Sequence, residues 1–251
     1  MSKGKCLITG ASSGIGREFA VYLSSLGYDI IAAARSEEKL SDLKSRLKTD
    51  VTVIASDISK QENCYALYEK VKDSGIDIVI NNAGFGFCGY FEQGENDTDM
   101  INVNVAAVGI LTKLFYKDFA KRKRGYILNV ASIAAFMPGP LMAQYYATKA
   151  YVLRLTQAVA KEAKMQKNGV HLSVLCPGPV DTNFNKTAHV KFALKGISAQ
   201  YAARYAVQKM FKGKTVILPT LKIKAIAFAS RICPDSLLVE IASRVQKSKI
   251  V

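Results

Sequence analysis

Tyr145 and Lys149 stand four residues apart in the run YYATK, a spacing that puts both side chains on one face of a helix. A phenol ionises near pH ~10, too high for easy proton exchange around neutrality, and an ammonium beside it stabilises the phenolate and lowers that value. Such a pair is suited to giving a proton to, or taking one from, an oxygen whose charge changes during a reaction. Tyr146 is a rival phenol, but only Tyr145 stands four residues before Lys149. Near the start of the chain lies a second chemical signal, Thr9-Gly10-Ala11-Ser12-Ser13-Gly14-Ile15-Gly16. Gly10 permits a tight turn, Gly14 lets the backbone approach a pyrophosphate, and Gly16 allows a helix to pack closely on a strand. The helix that follows offers free N–H groups and a favourable dipole to phosphates. A glycine-rich stretch alone is weak evidence because turns use glycine anyway, and this one gains weight from its place between an apolar run and an amphipathic one.

The elements that must position these groups are legible as a repeated pattern. Apolar runs occur at CLITG (6–10), IIAAA (30–34), VTVIA (51–55), IDIVI (76–80), GYILNV (125–130) and HLSVLC (171–176), with a last one near Thr215-Val216-Ile217-Leu218. They do not alternate, as strands buried on both faces should not. Amphipathic segments lie between them. Residues 15–26 place Ile15, Phe19, Val21, Tyr22 and Leu26 near helical spacing, with Gly27 as a stop signal, and Leu40, Leu43 and Leu47 mark the next helix. Strand and helix alternating in this way imply right-handed βαβ units, a parallel sheet and one α/β domain over residues 1–251. Ligands of such sheets bind beyond the carboxyl ends of the strands. After the second strand comes Ala34-Arg35, where a dinucleotide site that prefers NAD usually carries an acidic residue. A guanidinium there suits a 2′-phosphate, which favours NADP(H) over NAD(H). A surface arginine at a helix start is the plainer role, and Glu37 and Glu38 read as first-turn residues stabilised by the helix dipole.

Six motifs in register resemble the short-chain dehydrogenase/reductase family over residues 5 to about 218. Tyr145 to Lys149 fits its YxxxK signature, Thr9 to Gly16 its TGxxxGxG, and Asn81-Asn82-Ala83-Gly84 its NNAG. Ser132 and Asn104 stand where that family carries its catalytic serine and asparagine, and Pro177-Gly178-Pro179-Val180-Asp181-Thr182 matches the PG motif after the sixth strand. The resemblance implies a single doubly wound Rossmann domain with about seven parallel strands. It also implies that Tyr145 is the acid or base of hydride transfer at a carbonyl. Lys149 would lower its pKa and bind the nicotinamide ribose, Ser132 would polarise the carbonyl, and Asn104 would hold a water in a proton relay. Cofactor contacts fall to Gly10, Ser12, Ser13, Gly14, Ile15, Gly16, Arg35, Asp57, Ile58, Asn82, Ala83, Tyr145, Lys149, Pro177, Val180 and Thr182. Plainer roles stay open for several: Ser132 as a turn cap, Asn104 as a helix-bending core amide, Asp57 as a helix N-cap.

Stretches after the fourth, fifth and sixth strands supply an apolar substrate lining from Phe85, Phe87, Ala134, Met137, Met142 and Phe184. A lid is expected over about 183–211, carrying Phe184, Val190, Phe192 and Leu194. This lining points to a hydrophobic ketone or alcohol, such as an acyl chain or a steroid-like ring system, although the same side chains would also pack among themselves. His171 and His189 have no third ligand, and the five cysteines show no CxxC spacing and an odd count. No metal site and no disulfide framework are expected. No apolar run reaches the ~18–20 residues of a membrane span, and a strand begins too early for a signal peptide, so a cytoplasmic protein is expected, with a homodimer or homotetramer as its assembly.

The chain carries 35 Lys+Arg against 20 Asp+Glu, a net charge of +15. Residues 186–251 hold thirteen of the cations and only two of the acids, so the excess belongs to the last quarter. Nucleic acid is a poor partner, because the best local cluster, Lys121-Arg122-Lys123-Arg124, has no interleaved aromatics and suits a helix end. Beyond the last strand the chain continues through a helical extension over about 219–251, in which Leu237, Leu238, Ile241 and Val245 share a helical stripe. That extension either packs on the domain or forms a basic amphipathic surface for anionic lipid. A regulator with a dead site is the reading that the intact Asn104, Ser132, Tyr145 and Lys149 set argues against.

Overall fold

The computed structural model describes residues 2–182, 184, 188 and 196–247. Six of its strands coincide with the apolar runs: β1 (Lys5–Thr9), β2 (Asp29–Ala34), β3 (Val51–Ala55), β4 (Ile76–Asn81), β5 (Gly125–Val130) and β6 (Val170–Leu175). Two short strands, β7 (Val180–Asp181) and β8 (Ile197–Ser198), pair with each other, and β9 (Val216–Ile217) closes the main sheet. That sheet has seven parallel strands in the order β3-β2-β1-β4-β5-β6-β9. The order reverses between β1 and β4, so a crevice opens there at the carboxyl ends, as in doubly wound folds.

The sheet is buried on both sides, and strand side chains alternate between two cores. Cys6, Ile8, Ile78, Ile80 and Leu128 face α1 (Gly14–Ser25) and α2 (Glu37–Arg46), meeting Phe19, Leu23, Leu40 and Leu43. Leu7, Ile31, Val79 and Ile127 face the other way, toward α3 (Gln61–Val71), α5 (Val108–Arg122) and α6 (Ala143–Gln166). There they meet Leu67, Phe115, Phe119 and Ala160. Fully burying each such side chain is worth about 1.5–3 kcal/mol, which is why apolar residues run unbroken along the strands. Between α4 (Asp97–Ile101) and α5 the backbone winds as a π-helix over Asn102–Ala107.

One expectation changes here. The lid was expected to extend to residue 211, but residues 199–211 form the core helix α7 (Ala199–Phe211). Its Ala202, Ala203, Ala206, Val207 and Met210 are fully buried, mostly against α1, because a run of alanines permits close helix packing. Val190, Phe192, Leu194 and His189 lie outside the described residues. The basic cluster at 121–124 ends α5, where Arg122 lies 4.9 Å from the Phe119 ring centroid and donates to the Ile76 carbonyl. Arg124 pairs with Asp77 at 3.2 Å. The extension forms two helices, α8 (Leu221–Ala229) and α9 (Asp235–Lys247). No helix among the described residues is long and apolar enough to cross a membrane.

Candidate active site

The glycine-rich turn joins β1 to α1, and the start of the NNAG motif locks it. Thr9 Oγ1 accepts from the backbone N–H groups of Asn82 (3.1 Å) and Ala83 (3.2 Å). Asn82 Nδ2 donates back to the carbonyls of Thr9 (3.0 Å) and Gly10 (3.3 Å). Asn82 and Ala83 therefore shape the turn. A Cβ on Gly10 would stand 2.8 Å from the Ala83 Cα, and one on Gly16 would run into the Gly10 carbonyl oxygen, so only glycine fits at either position. Ser13 caps α1 without a side-chain hydrogen bond, leaving first-turn N–H groups beside Ser12, Gly14 and Ile15 for an anion. This cradle fits a dinucleotide pyrophosphate.

A cavity of about 410 Å3 opens at the ends of β2 and β3, lined by Arg35, Ser56, Asp57, Asn63 and Lys70, among others. Arg35 is exposed, one residue before Ser36, the N-cap of α2. Asp57 Oδ1 accepts from Ser59 N (3.1 Å), so its carboxylate closes a turn ahead of α3, whose N-cap is Lys60. Ile58 is buried against the α3 side. Lys70 was not singled out from the sequence, because a lysine on a helix is ordinarily a solvated residue.

At the other end, the loop after β6 reaches back across the crevice. The Pro177 carbonyl accepts from Ile133 N at 2.8 Å, and Thr182 lies within 3.3 Å of a Cβ placed on Gly14. Val180 is buried in β7. Thus the loop meets the residue after Ser132 through Pro177 and the glycine-rich turn through Thr182.

Tyr145 and Lys149 share a buried face of α6, as their spacing requires. Lys149 Nζ donates to the Val130 carbonyl at 3.0 Å and stands 5.7 Å from the Tyr145 ring centroid. Burial holds the Lys149 pKa down, to about 8, against a smaller upward pull from the buried Cys176 thiol. Burial pushes Tyr145 up, to about 12, while a hydrogen bond with the Ser132 side chain pulls the other way. Here the structure differs from the expectation that Lys149 lowers the pKa of Tyr145. Desolvation is the main cause of the shift at Tyr145, and the Lys149 ammonium is turned to the Val130 carbonyl. Ser132 is also a turn cap, accepting from Ala134 N at 3.2 Å. Asn104 is fully buried in the π-helix; its amide donates to Phe85 O (2.9 Å) and Thr148 Oγ1 (3.1 Å) and accepts from Phe85 N (3.2 Å). Thr148 in turn donates to the Tyr145 carbonyl at 2.8 Å, a link that sequence reasoning missed. Asn104 Oδ1 and Lys149 Nζ both border Gly84, at 2.8 and 3.1 Å from a Cβ placed there.

Around Tyr145 the substrate-lining residues form one apolar cluster. Ala134, Met142, Cys88 and Met100 are buried in it, with Phe85, Phe87, Tyr146 and Phe184 packed against them. Phe184 tilts against the Tyr145 ring with centroids 5.4 Å apart. Met137 does not join the cluster; it ends the short 3₁₀ turn Ile133–Phe136, half-buried. The cluster also has an unforeseen neighbour from the far end of the chain. Gln246 of α9 is completely buried and donates to the Tyr146 hydroxyl. No local pattern links residues a hundred positions apart. No group of three or more metal-ligating side chains occurs among the described residues.

Comparison with known proteins places the chain. The profile described as short chain dehydrogenase matches residues 5–193. An uncharacterized oxidoreductase of Staphylococcus epidermidis is 34% identical over 181 residues, 70% of this chain and 77% of the relative. A protein of Pongo abelii named inactive hydroxysteroid dehydrogenase-like protein 1 is 33% identical over 186 residues, 70% of this chain and 56% of the relative. Among solved structures, a short-chain dehydrogenase from Sphingobium yanoikuyae in complex with NADPH superposes with a TM-score of 0.82 at 27% identity. It covers 91% of this chain and 94% of its own. The chain belongs to the short-chain dehydrogenase family, with the doubly wound Rossmann architecture that its motifs implied.

Proposed function

We propose that this chain is an NADP(H)-dependent oxidoreductase that reduces a ketone to an alcohol, or runs the reverse, on a hydrophobic substrate such as a steroid-like or acyl compound. The observation that carries this reading is Tyr145 itself. It is a buried phenol hydrogen-bonded to Ser132, backed by Lys149 and walled by Ala134, Met142, Phe85 and Phe184. The turn from Gly10 to Gly16 would hold the pyrophosphate, and Arg35 with Lys70 would face a 2′-phosphate. The nicotinamide, when bound, supplies or accepts the hydride.

Everything else falls to the chain's own groups. Ser132 orients the substrate oxygen toward Tyr145, which gives its proton in reduction and takes it in oxidation. Tyr145 is protonated at neutral pH, the form that gives its proton in reduction, although burial makes it a weaker acid than a free phenol. Lys149 would hold the ribose, and Asn104 would order water between the Gly84 backbone and the lysine. The apolar wall excludes bulk water from the proton being moved.

The decisive experiment mixes the purified chain with NADPH or NADH and a panel of ketones, including bulky ring systems and long acyl chains. Turnover faster with NADPH on bulky apolar ketones is expected. Tight cofactor binding with no turnover on any member would fit the inactive relative better and would sink the catalytic reading. Tyr145→Phe should lower turnover by about 10²–10⁴-fold with cofactor affinity nearly unchanged.

A further inference from the structure

Helix α8 breaks a rule that the rest of the fold obeys. Its sequence, LKIKAIAFA, is apolar all round except for two lysines, and such helices are ordinarily buried. Here only Ile223 and Ala227 are buried, and Ile223 seats the helix over Gly178 in the loop after β6. The opposite face carries Leu221, Ala225 and Phe228, one to two turns apart, with Leu221 81% and Phe228 65% exposed. Lys222 and Lys224 project on either side of that ridge by helical spacing, both exposed. Nearby in the chain Ile232 is 72% exposed, and Leu237 and Ile241 of α9 are about half-exposed on one side of their helix. Residues 219–247 hold five cations against two carboxylates.

We infer that the outward face of α8, continued by Ile232, Leu237 and Ile241, docks the protein onto an anionic phospholipid surface. An apolar ridge flanked by lysines is the arrangement that inserts into the headgroup boundary while cations meet lipid phosphates. Charge decides against a second copy as the occupant. A two-fold contact through the α8 ridge would gather four lysines, two from each copy, into one interface, whereas anionic lipid complements them. The docked face adjoins the site, because α8 also packs against the turn Ile133–Phe136 that follows Ser132. A hydrophobic substrate dissolved in lipid would then reach the Tyr145 cluster without crossing water. Docking itself stands independently of the reductase reading, since it uses none of the catalytic residues.

The test is co-sedimentation of the full-length protein with phosphatidylcholine vesicles and with vesicles containing about one-third phosphatidylglycerol, at low and physiological salt. Binding that requires the anionic lipid and weakens with salt is expected. Leu221→Ser with Phe228→Ser should lose more than about tenfold in affinity, and each of Lys222→Gln and Lys224→Gln about fivefold. Far-UV circular dichroism and the urea midpoint, unchanged in every variant, would show that each one folds. Equal sedimentation with both vesicle types, or no difference between wild type and the apolar double variant, would overturn the inference. So would a wild-type dimer, seen by light scattering, that Leu221→Ser with Phe228→Ser dissociates.

Discussion

Two neighbouring groups on α6 are both driven toward neutrality, Tyr145 to about 12 and Lys149 to about 8, and for both the main cause is loss of water. For Lys149 the linkage runs as follows. Below pH 8 the folded chain buries a charge that the unfolded chain leaves in water, and that cost fades as pH rises from 8 through 10.5. A shift of this size corresponds to about 3 kcal/mol. Urea titrations should therefore find Lys149→Met more stable than wild type at pH 7. The gap should close toward pH 10.5, and a pH-independent gap would refute the buried charge. The lost bond to the Val130 carbonyl offsets about 1 kcal/mol of the gain. Arg35 offers a second test at this scale. Arg35→Ala should raise the Kd for NADPH roughly tenfold or more while leaving NADH within a factor of about two, because only the former carries the 2′-phosphate. Equal loss for both cofactors would return Arg35 to the role of a surface residue.

Among the elements, the join of β1 to α1 and the π-helix before α5 do the positioning. Gly16→Ala forces a methyl group into the Gly10 carbonyl, so the turn must open. Dinucleotide binding should fall at least tenfold by fluorescence titration, a larger loss than the thermal stability alone would suggest. The extra residue in the π-helix turns Asn104 inward to Phe85 and Thr148, and such bulges often mark functional sites. Behind this lies a polar network that no motif announced as a unit. Asn81 Nδ2 donates to Asn129 Oδ1 (2.8 Å) and Thr112 Oγ1 (3.2 Å), and Asn129 Nδ2 donates to Thr156 Oγ1 (2.9 Å). It ties β4, β5, α5 and α6 together just below the site. Asn129→Leu leaves buried donors unpaired and should cost about 2–4 kcal/mol by chemical denaturation.

At the level of the whole molecule, the far end of the chain completes the site wall. Gln246 crosses from α9 to Tyr146, next to Tyr145, and its Oε1 is buried without a hydrogen bond among the described residues. Only Leu238, Ala242 and Gln246 of α9 are buried, so the helix is held by a narrow stripe. Gln246→Leu removes the polar contact to Tyr146. Amide exchange should then speed up across 235–247 and stay unchanged in β1, β4 and β5, as expected of a separately opening unit. Acceleration spread over the whole sheet would mean that the extension is integral to the core.

The sequence by itself determined the seven strands of the main sheet, their parallel direction and the chemistry of the turn and of α6. Each of those depends on local spacing: unbroken apolar runs, glycines at a turn, a phenol four residues from an amine. Five of the six lining residues also converge, since they follow strand ends that the fold gathers at one edge. What only the tertiary structure decided is long-range. It set the directions of the Tyr145 and Lys149 shifts, which depend on how much water neighbouring elements remove. It assigned residues 199–211 to the core, made Asn82 a clamp of the glycine turn, and brought Lys70 and Gln246 to the site. It also sorted the extension's apolar residues into a seated face and an exposed one. Helical periodicity shows that a stripe exists, and only packing shows which side of it meets the protein.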